Sequence, residues 1–258
     1  MDFGSRIFSD DALRDRHILI TGASSGIGAN AAKFFSELGA KVILVGRSAH
    51  KLNTLSEELS RNSSLVKVID LSAPDLLYEE IKSLPPEWLP LHGVFHAAGN
   101  ELVKPIKLMK SSDFDSLMSV SAKSALSIAR AVSTKSVMSD GGSLVFMSSV
   151  AAITGTSGLS LYSATKGAVE AMIRSLAVEL SAKSIRVNAI TAGAVDTPMH
   201  QRLLRGMPEN AIQDYLSRHP LGFGHPTDIS NLAAYLISDA ARWMTGSCIV
   251  LDGGYSAL

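Results

Sequence analysis

The chain has 258 residues, 24 Lys and Arg against 24 Asp and Glu, and one cysteine, Cys248. That length suits one large α/β domain or two small ones. The charge balance excludes the clustered positive excess of a nucleic-acid binder, the lone cysteine excludes an internal disulfide, and no apolar run approaches the ~20 residues of a membrane span.

The stretch Met1 to Arg16 is polar and lacks the apolar centre of a signal peptide. With the unpaired cysteine this sets the expectation of a cytoplasmic protein with no nucleic-acid or membrane partner. The run His17 to Ile20 reads as a first strand. It ends in Thr21-Gly22-Ala23-Ser24-Ser25-Gly26-Ile27-Gly28, and a helix pattern follows through Phe34, Phe35 and Leu38 to Gly39. Glycines at a strand-to-helix turn let the backbone approach a pyrophosphate, and the helix start offers free N–H groups and partial positive charge.

Lys41 to Val45 is the second strand and ends at Gly46-Arg47-Ser48. Dinucleotide-binding folds place an acid about 20 residues past the glycines, on the ribose hydroxyls of NAD. Here no carboxylate stands there to repel a 2′-phosphate, and Arg47 offers a guanidinium to bind one, so NADP(H) is expected. The competing reading is a surface arginine at a strand end. Lys51 to Ser60 reads as a helix and Ser64 to Ile69 as the third strand, followed by Asp70-Leu71. Asp70 either hydrogen-bonds an adenine amino group or caps the next helix. After the break at Pro85-Pro86, Leu91 to Phe95 is the fourth strand, ending at His96-Ala97-Ala98-Gly99. Alternating strands and helices point to a parallel sheet covered on both faces.

Phe114 to Val137 reads as a long helix and Gly142 to Met147 as the fifth strand. Ser149 follows, and the helix pattern Leu161 to Ser181 carries Tyr162 and Lys166 at its start. Side chains four apart share one helix face. An ammonium group there favours the phenolate: an opposite charge nearby lowers a value ordinarily about 10 by about 1–3. Tyr162 thereby becomes a usable proton donor or acceptor, with Ser149 able to hydrogen-bond the same substrate oxygen. The bland alternative is a phenol at a helix edge beside a solvated lysine. Ser184 to Ile190 is the sixth strand, and Thr191 to Met199 holds Gly193, Val195 and Thr197. Residues 200–223 mix Leu203, Leu204, Met207, Leu221 and Phe223 with His200, Arg202, Arg205 and His219. They read as a mobile lid, either an ordinary amphipathic helix or a cover for an apolar substrate with an anionic end. Asp228 to Ser238 is a helix and Ser247 to Leu251 the last strand.

Taken in order, Thr21 to Gly28, Asp70-Leu71, Ala98-Gly99, Ser149, Tyr162, Lys166, Asn188-Ala189-Ile190, Leu221-Gly222, Thr245-Gly246 and Asp252-Gly253-Gly254 resemble the short-chain dehydrogenase/reductase family. The resemblance spans nearly the whole chain. It implies a single α/β domain over 1–258, with a Rossmann-type doubly wound parallel sheet of strand order 3-2-1-4-5-6-7. It implies a nicotinamide cofactor along the carboxyl ends of the strands, NADP(H) by the reading of Arg47. Gly22, Ser24, Ser25, Gly26, Ile27 and Gly28 would cradle it, with Arg47, Ser48, Asp70, Leu71, Ala97, Ala98 and Gly99. Gly193, Val195 and Thr197 would sit at its nicotinamide end. Tyr162 would be the catalytic acid/base, Lys166 would bind the ribose and lower the phenol pKa, and Ser149 would hold the substrate carbonyl. No metal is implied.

Three departures from the family pattern stand out. His96-Ala97-Ala98-Gly99 replaces Asn-Asn-Ala-Gly, so His96 either touches the adenosine half or is a packed core residue. Ser121 stands where the family has a helix Asn that holds a water beside the lysine, and inherits that catalytic relay role. Ala192-Gly193 replaces Pro-Gly. The pattern is most similar to 3-oxoacyl-carrier-protein reductases, so a ketone-reducing enzyme is expected, acting on a small-molecule carbonyl or alcohol substrate as a homo-tetramer or homo-dimer. Asp140 and Val178 occupy what are taken to be the helix positions where relatives place carrier-docking arginines. An alcohol, sugar or steroid dehydrogenase of the same family is the alternative, and an inactive NADP(H)-binding sensor or scaffold a third reading.

Overall fold

Strands covered on both faces read as unbroken apolar runs, because successive side chains point to opposite sides. Ile18 and Ile20 of β1 (His17–Thr21) fall in one core with Val42 and Leu44 of β2 (Lys41–Gly46), while Leu19, Ile43 and Val45 fall in the other. In the computed structural model, which describes residues 8–59, 63–206 and 208–258, these two cores sandwich a seven-stranded sheet. β3 (Ser64–Val68), β4 (Leu91–His96), β5 (Met138–Ser149), β6 (Arg186–Ala192) and β7 (Cys248–Leu251) complete it. All pairs are parallel and the order is 3-2-1-4-5-6-7, as the resemblance implied.

One face is covered by α1 (Gly26–Glu37), α2 (Ala49–Glu58) and α9 (Pro226–Ile237), through Phe35, Leu52, Leu55, Ile229 and Ala233. The other is covered by α3 (Pro74–Lys82), α5 (Ser124–Ser133) and α6 (Ser160–Leu180), through Leu77, Ile128, Val169 and Ile173. Between β1 and β4 the strand order reverses, with Thr21 paired to His96. A crevice opens at such a reversal, outside the carboxyl ends of the strands, and it is where doubly wound sheets bind ligands. Among the described residues no helix is long and apolar enough to cross a membrane.

Several expected boundaries move. The helix read as Phe114 to Val137 is three pieces: α4 (Ser111–Met118), a π-helical turn Ser119–Lys123, and α5, which stops at Ser133 because Thr134 turns extended. A carboxylate sets its start: Asp113 accepts a hydrogen bond from the Lys110 N–H at 2.8 Å. β5 is longer than the apolar run Gly142 to Met147, because Met138 pairs with Leu91 before a register shift. Asp140 therefore lies exposed in the amino-terminal part of β5, not on a helix at the site mouth. β6 begins at Arg186, since Ser184 takes a left-handed conformation with φ 54°. The segment 200–223 holds two helices, α7 (Pro198–Leu204) and α8 (Glu209–Ser217). Ser60 and Met207 lie outside the described residues.

Candidate functional site

The turn after β1 is too tight for side chains. A Cβ on Gly22, whose φ is +69°, would stand 2.9 Å from the Ala98 Cα, and one on Gly28 would strike the Gly22 carbonyl. Ser25 caps α1 without a side-chain hydrogen bond, so the first amides of that helix keep their donors. Gly22, Ser24, Ser25, Gly26, Ile27 and Gly28 all line one cavity of about 540 Å³ along the carboxyl ends of the strands.

Arg47, Asp70 and Leu71 line the same cavity at the ends of β2 and β3. The Ser72 N–H hydrogen-bonds the Asp70 carboxylate at 3.0 Å and is the main influence holding its pKa low; Arg47 adds a smaller pull. Asp70 does not cap α3, whose N-cap is Ala73. Ser48 is not on the cavity wall: its hydroxyl accepts from the Lys51 N–H as the N-cap of α2. Ala97, Ala98 and Gly99 line the wall after β4, and Gly193, Val195 and Thr197 after β6.

Ser149, at the end of β5, and Tyr162 and Lys166, one turn apart on α6, meet in this cavity. The Lys166 ammonium lies 5.7 Å from the Tyr162 ring centre and donates to the Met147 carbonyl at 2.9 Å. It is only 4% exposed, and burial lowers its pKa to about 8. The expected acidification of Tyr162 is not what the geometry gives. Burial first, then the Glu101 carboxylate, pushes the phenol pKa up; hydrogen bonding with Ser149 is the one influence drawing it down. The Lys166 ammonium instead gives a hydrogen bond to the Met147 carbonyl, and burial of the ring outweighs any pull on the phenol.

His96 resolves as a packed core residue, 2% exposed and off the cavity wall. The Ser121 carbonyl facing His96 Nε2 can only accept, so Nε2 carries the proton and Nδ1 accepts from Thr21 Oγ1, 2.7 Å away, while Thr21 Oγ1 also accepts from the Ala98 N–H at 3.2 Å. As a donor, Nε2 lies 3.0 Å from Ser124 Oγ and 3.3 Å from the Ser121 carbonyl. Burial holds the imidazole neutral, with a pKa near 3. The bond anchors the π-helical turn to the end of β4. Ser121, at the centre of that turn, is 1% exposed, and its hydroxyl has no hydrogen-bond partner among the described residues. A Cβ on Gly99 would stand 3.6 Å from Lys166 Nζ and 3.9 Å from Ser121 Oγ, so the two groups converge behind the cavity wall. An unpaired buried polar group costs about 1–3 kcal/mol, so this hydroxyl is fitted to hold a water or ligand.

Two further wall residues stand out, Glu101, which the sequence leaves without a role, and His200, which it places only within the lid. Glu101 lies two positions past Gly99, half-buried, with burial raising its pKa. An acid just past a strand end at the sheet's reversal point is the signal that could have found it. His200, at the start of α7, is 6% exposed, and neither ring nitrogen has a partner among the described residues.

The chain matches, over residues 22–256, the family described as enoyl-(acyl carrier protein) reductase. It is 33% identical to a 3-oxoacyl-[acyl-carrier-protein] reductase, FabG, of Thermotoga maritima, over 94% of this chain and 98% of that one. A tropinone reductase homolog of Arabidopsis thaliana is 30% identical over 95% of this chain and 94% of its own. Among solved structures, a short-chain type dehydrogenase/reductase from Mycobacterium ulcerans superposes with a TM-score of 0.88 at 30% identity, covering 95% of this chain and 91% of its own.

Proposed function

The chain belongs to the short-chain dehydrogenase/reductase family of oxidoreductases, and from that premise we propose that it is an NADP(H)-dependent carbonyl reductase. The observation that carries the reading is the meeting of Ser149, Tyr162 and Lys166 in the cavity that the glycine turn also lines. The cavity suits a nicotinamide dinucleotide. The close-packed glycine turn and the uncapped start of α1 fit its pyrophosphate, and Arg47 fits a 2′-phosphate. Gly193, Val195 and Thr197 would border the nicotinamide, and Lys166 the adjoining ribose. When bound, the nicotinamide supplies or accepts the hydride.

The chain's own residues handle the proton. Tyr162 donates it to the substrate oxygen while the Ser149 hydroxyl holds that oxygen in place. The phenol keeps that proton at neutral pH, as a donor must. Ser121, with Lys166, would hold a water through which the phenol is reprotonated. Similarity to the 3-oxoacyl reductases supports a 3-oxoacyl-type ketone as substrate. Exposed Leu126 on α5 and Val178 on α6, the latter 75% exposed, support assembly as a homo-tetramer or dimer, and a one-chain mass by light scattering would contradict it. A cytoplasmic location belongs to the same proposal.

The test is NADPH consumption with a panel of ketones, for the wild type and Arg47→Ala. The wild type is expected to prefer NADPH over NADH, and loss of the guanidinium to raise the NADPH KM about tenfold or more, with little change for NADH. A wild-type preference for NADH would overturn the NADP(H) assignment.

A further inference from the structure

The wall of the cavity is mainly apolar, and three of its residues carry aromatic rings that touch in a row. Tyr215 on α8 and His219, four positions on, meet edge to face with ring centres 5.0 Å apart. His219 in turn lies 4.8 Å from Tyr255, which stands in the 3-10 turn Tyr255–Ala257 near the carboxyl end of the chain. Tyr215 and Tyr255 are half-buried and keep surface to offer; His219, 4% exposed, is the joint between them.

The row is held from behind and at both ends. Phe223, off the cavity wall, packs at 5.1 Å on His219 and 5.4 Å on Tyr215. A carbonyl can only accept, so His219 Nδ1 carries a proton and donates it to the Tyr215 carbonyl at 2.9 Å. On either side of Tyr255 the chain is tied to the Asp252 carboxylate, which accepts from the Gly254 N–H at 3.0 Å and the Ser256 N–H at 2.7 Å. The Leu221 N–H donates to the Gly253 carbonyl at 3.0 Å and joins the two segments. Both are rooted at the end of the cavity assigned to the nicotinamide. A Cβ on Gly193 would stand 2.7 Å from the Asp252 Cα, and the Gly224 N–H donates to the Ala194 carbonyl at 2.9 Å. Tyr162 lies near enough to feel the charge of an ionised Tyr215, so the row stands beside the reacting centre. Burial pushes the Tyr215 phenol up to about 12, which keeps the ring uncharged.

Rings fixed in advance lose little freedom when a ligand packs on them. A flat aromatic group gains from ring-on-ring geometry beyond the area it buries, whereas a puckered ring or a linear chain of the same size gains the area alone. An ammonium group is best served by ring faces that converge on one point. Here the rings stand in a row, and Tyr215 and Tyr255 touch His219 but not each other among the described residues. We propose that Tyr215, His219 and Tyr255 form a stacking shelf that selects ketones bearing an aromatic ring. The proposal rests on the carbonyl-reductase reading and narrows its substrate class.

The test compares kcat/KM of the full-length protein with NADPH on phenylacetone, cyclohexylacetone and a trimethylammonium ketone of similar size. In the first two the ring is insulated from the carbonyl by a methylene group, so their intrinsic reactivity is alike. Phenylacetone is expected to exceed cyclohexylacetone by about two- to tenfold. Tyr215→Leu and Tyr255→Leu should bring that ratio toward unity, while Tyr215→Phe and Tyr255→Phe keep it, because the ring and not the hydroxyl does the selecting. The ratio is internal to each variant, so a loss of active protein does not mimic the effect. Three results would overturn the shelf and leave the reductase reading standing. They are a wild type that shows no preference or prefers the cyclohexyl or ammonium ketone, a ratio unmoved by both leucine substitutions, and a ratio lost in the phenylalanine variants. Failure of the wild type to reduce any ketone of the wider panel would overturn that reading as well.

Discussion

At the residue scale, Tyr162 is held between opposing influences. Burial and the Glu101 charge keep its proton on; hydrogen bonding with Ser149 draws it off. Reduction needs the protonated phenol, so activity is lost as pH rises through its pKa. Removing the neighbouring negative charge makes the phenolate less costly, so that pKa falls. Glu101→Gln is therefore expected to move the alkaline limb of the kcat profile to lower pH. A limb that stays or moves upward would show that Glu101 does not act on the phenol. The pairing of Tyr162 with Lys166 was legible from their spacing alone, because four residues make about one helical turn. The sign of the pKa change was not, since it depends on how deeply α6 is buried and on Glu101, far earlier in the chain.

At the scale of elements, the π-helical turn Ser119–Lys123 joins two departures that look unrelated along the sequence. His96 and Ser121 are 25 positions apart, yet the imidazole reaches the Ser121 carbonyl. Nothing in Ser119-Val120-Ser121-Ala122 marks a π turn, and the imidazole that meets its carbonyl arrives from β4. Ser121→Ala is expected to lower kcat more than it raises the cofactor KM; unchanged kinetics would remove Ser121 from the proton path.

His96 also ties this element to stability. Its folded pKa lies near 3, below the ordinary 6.5. Its contribution is thus fully present above about pH 6.5, and is lost as pH falls from there toward 3 and the unfolded chain takes up a proton that the folded chain refuses. The slope is at most about 1.4 kcal/mol per pH unit for one such group. His96→Gln should flatten the fall in unfolding free energy across that window, measured by denaturant titration. A slope equal to that of the wild type would place the acid sensitivity elsewhere.

At the scale of the whole molecule, the strand order and the two cores follow from features visible in the chain. Runs such as Val42-Ile43-Leu44-Val45 are buried on both faces and need helices on both sides. The glycine turn announced its position between strand and helix. The polar start of β5 and the orientation of His200 were not legible, because both depend on partners distant in sequence. The sheet delivers Ser149 from the end of β5 to a phenol on α6, at the crevice formed where the strand order reverses. The catalytic proposal depends on that delivery.

The most direct test is the rate of ketone reduction by Tyr162→Phe with NADPH. The account predicts that kcat falls by at least about 100-fold, the usual worth of a positioned proton donor, while NADPH still binds. A variant that reduces ketones as fast as the wild type would contradict it.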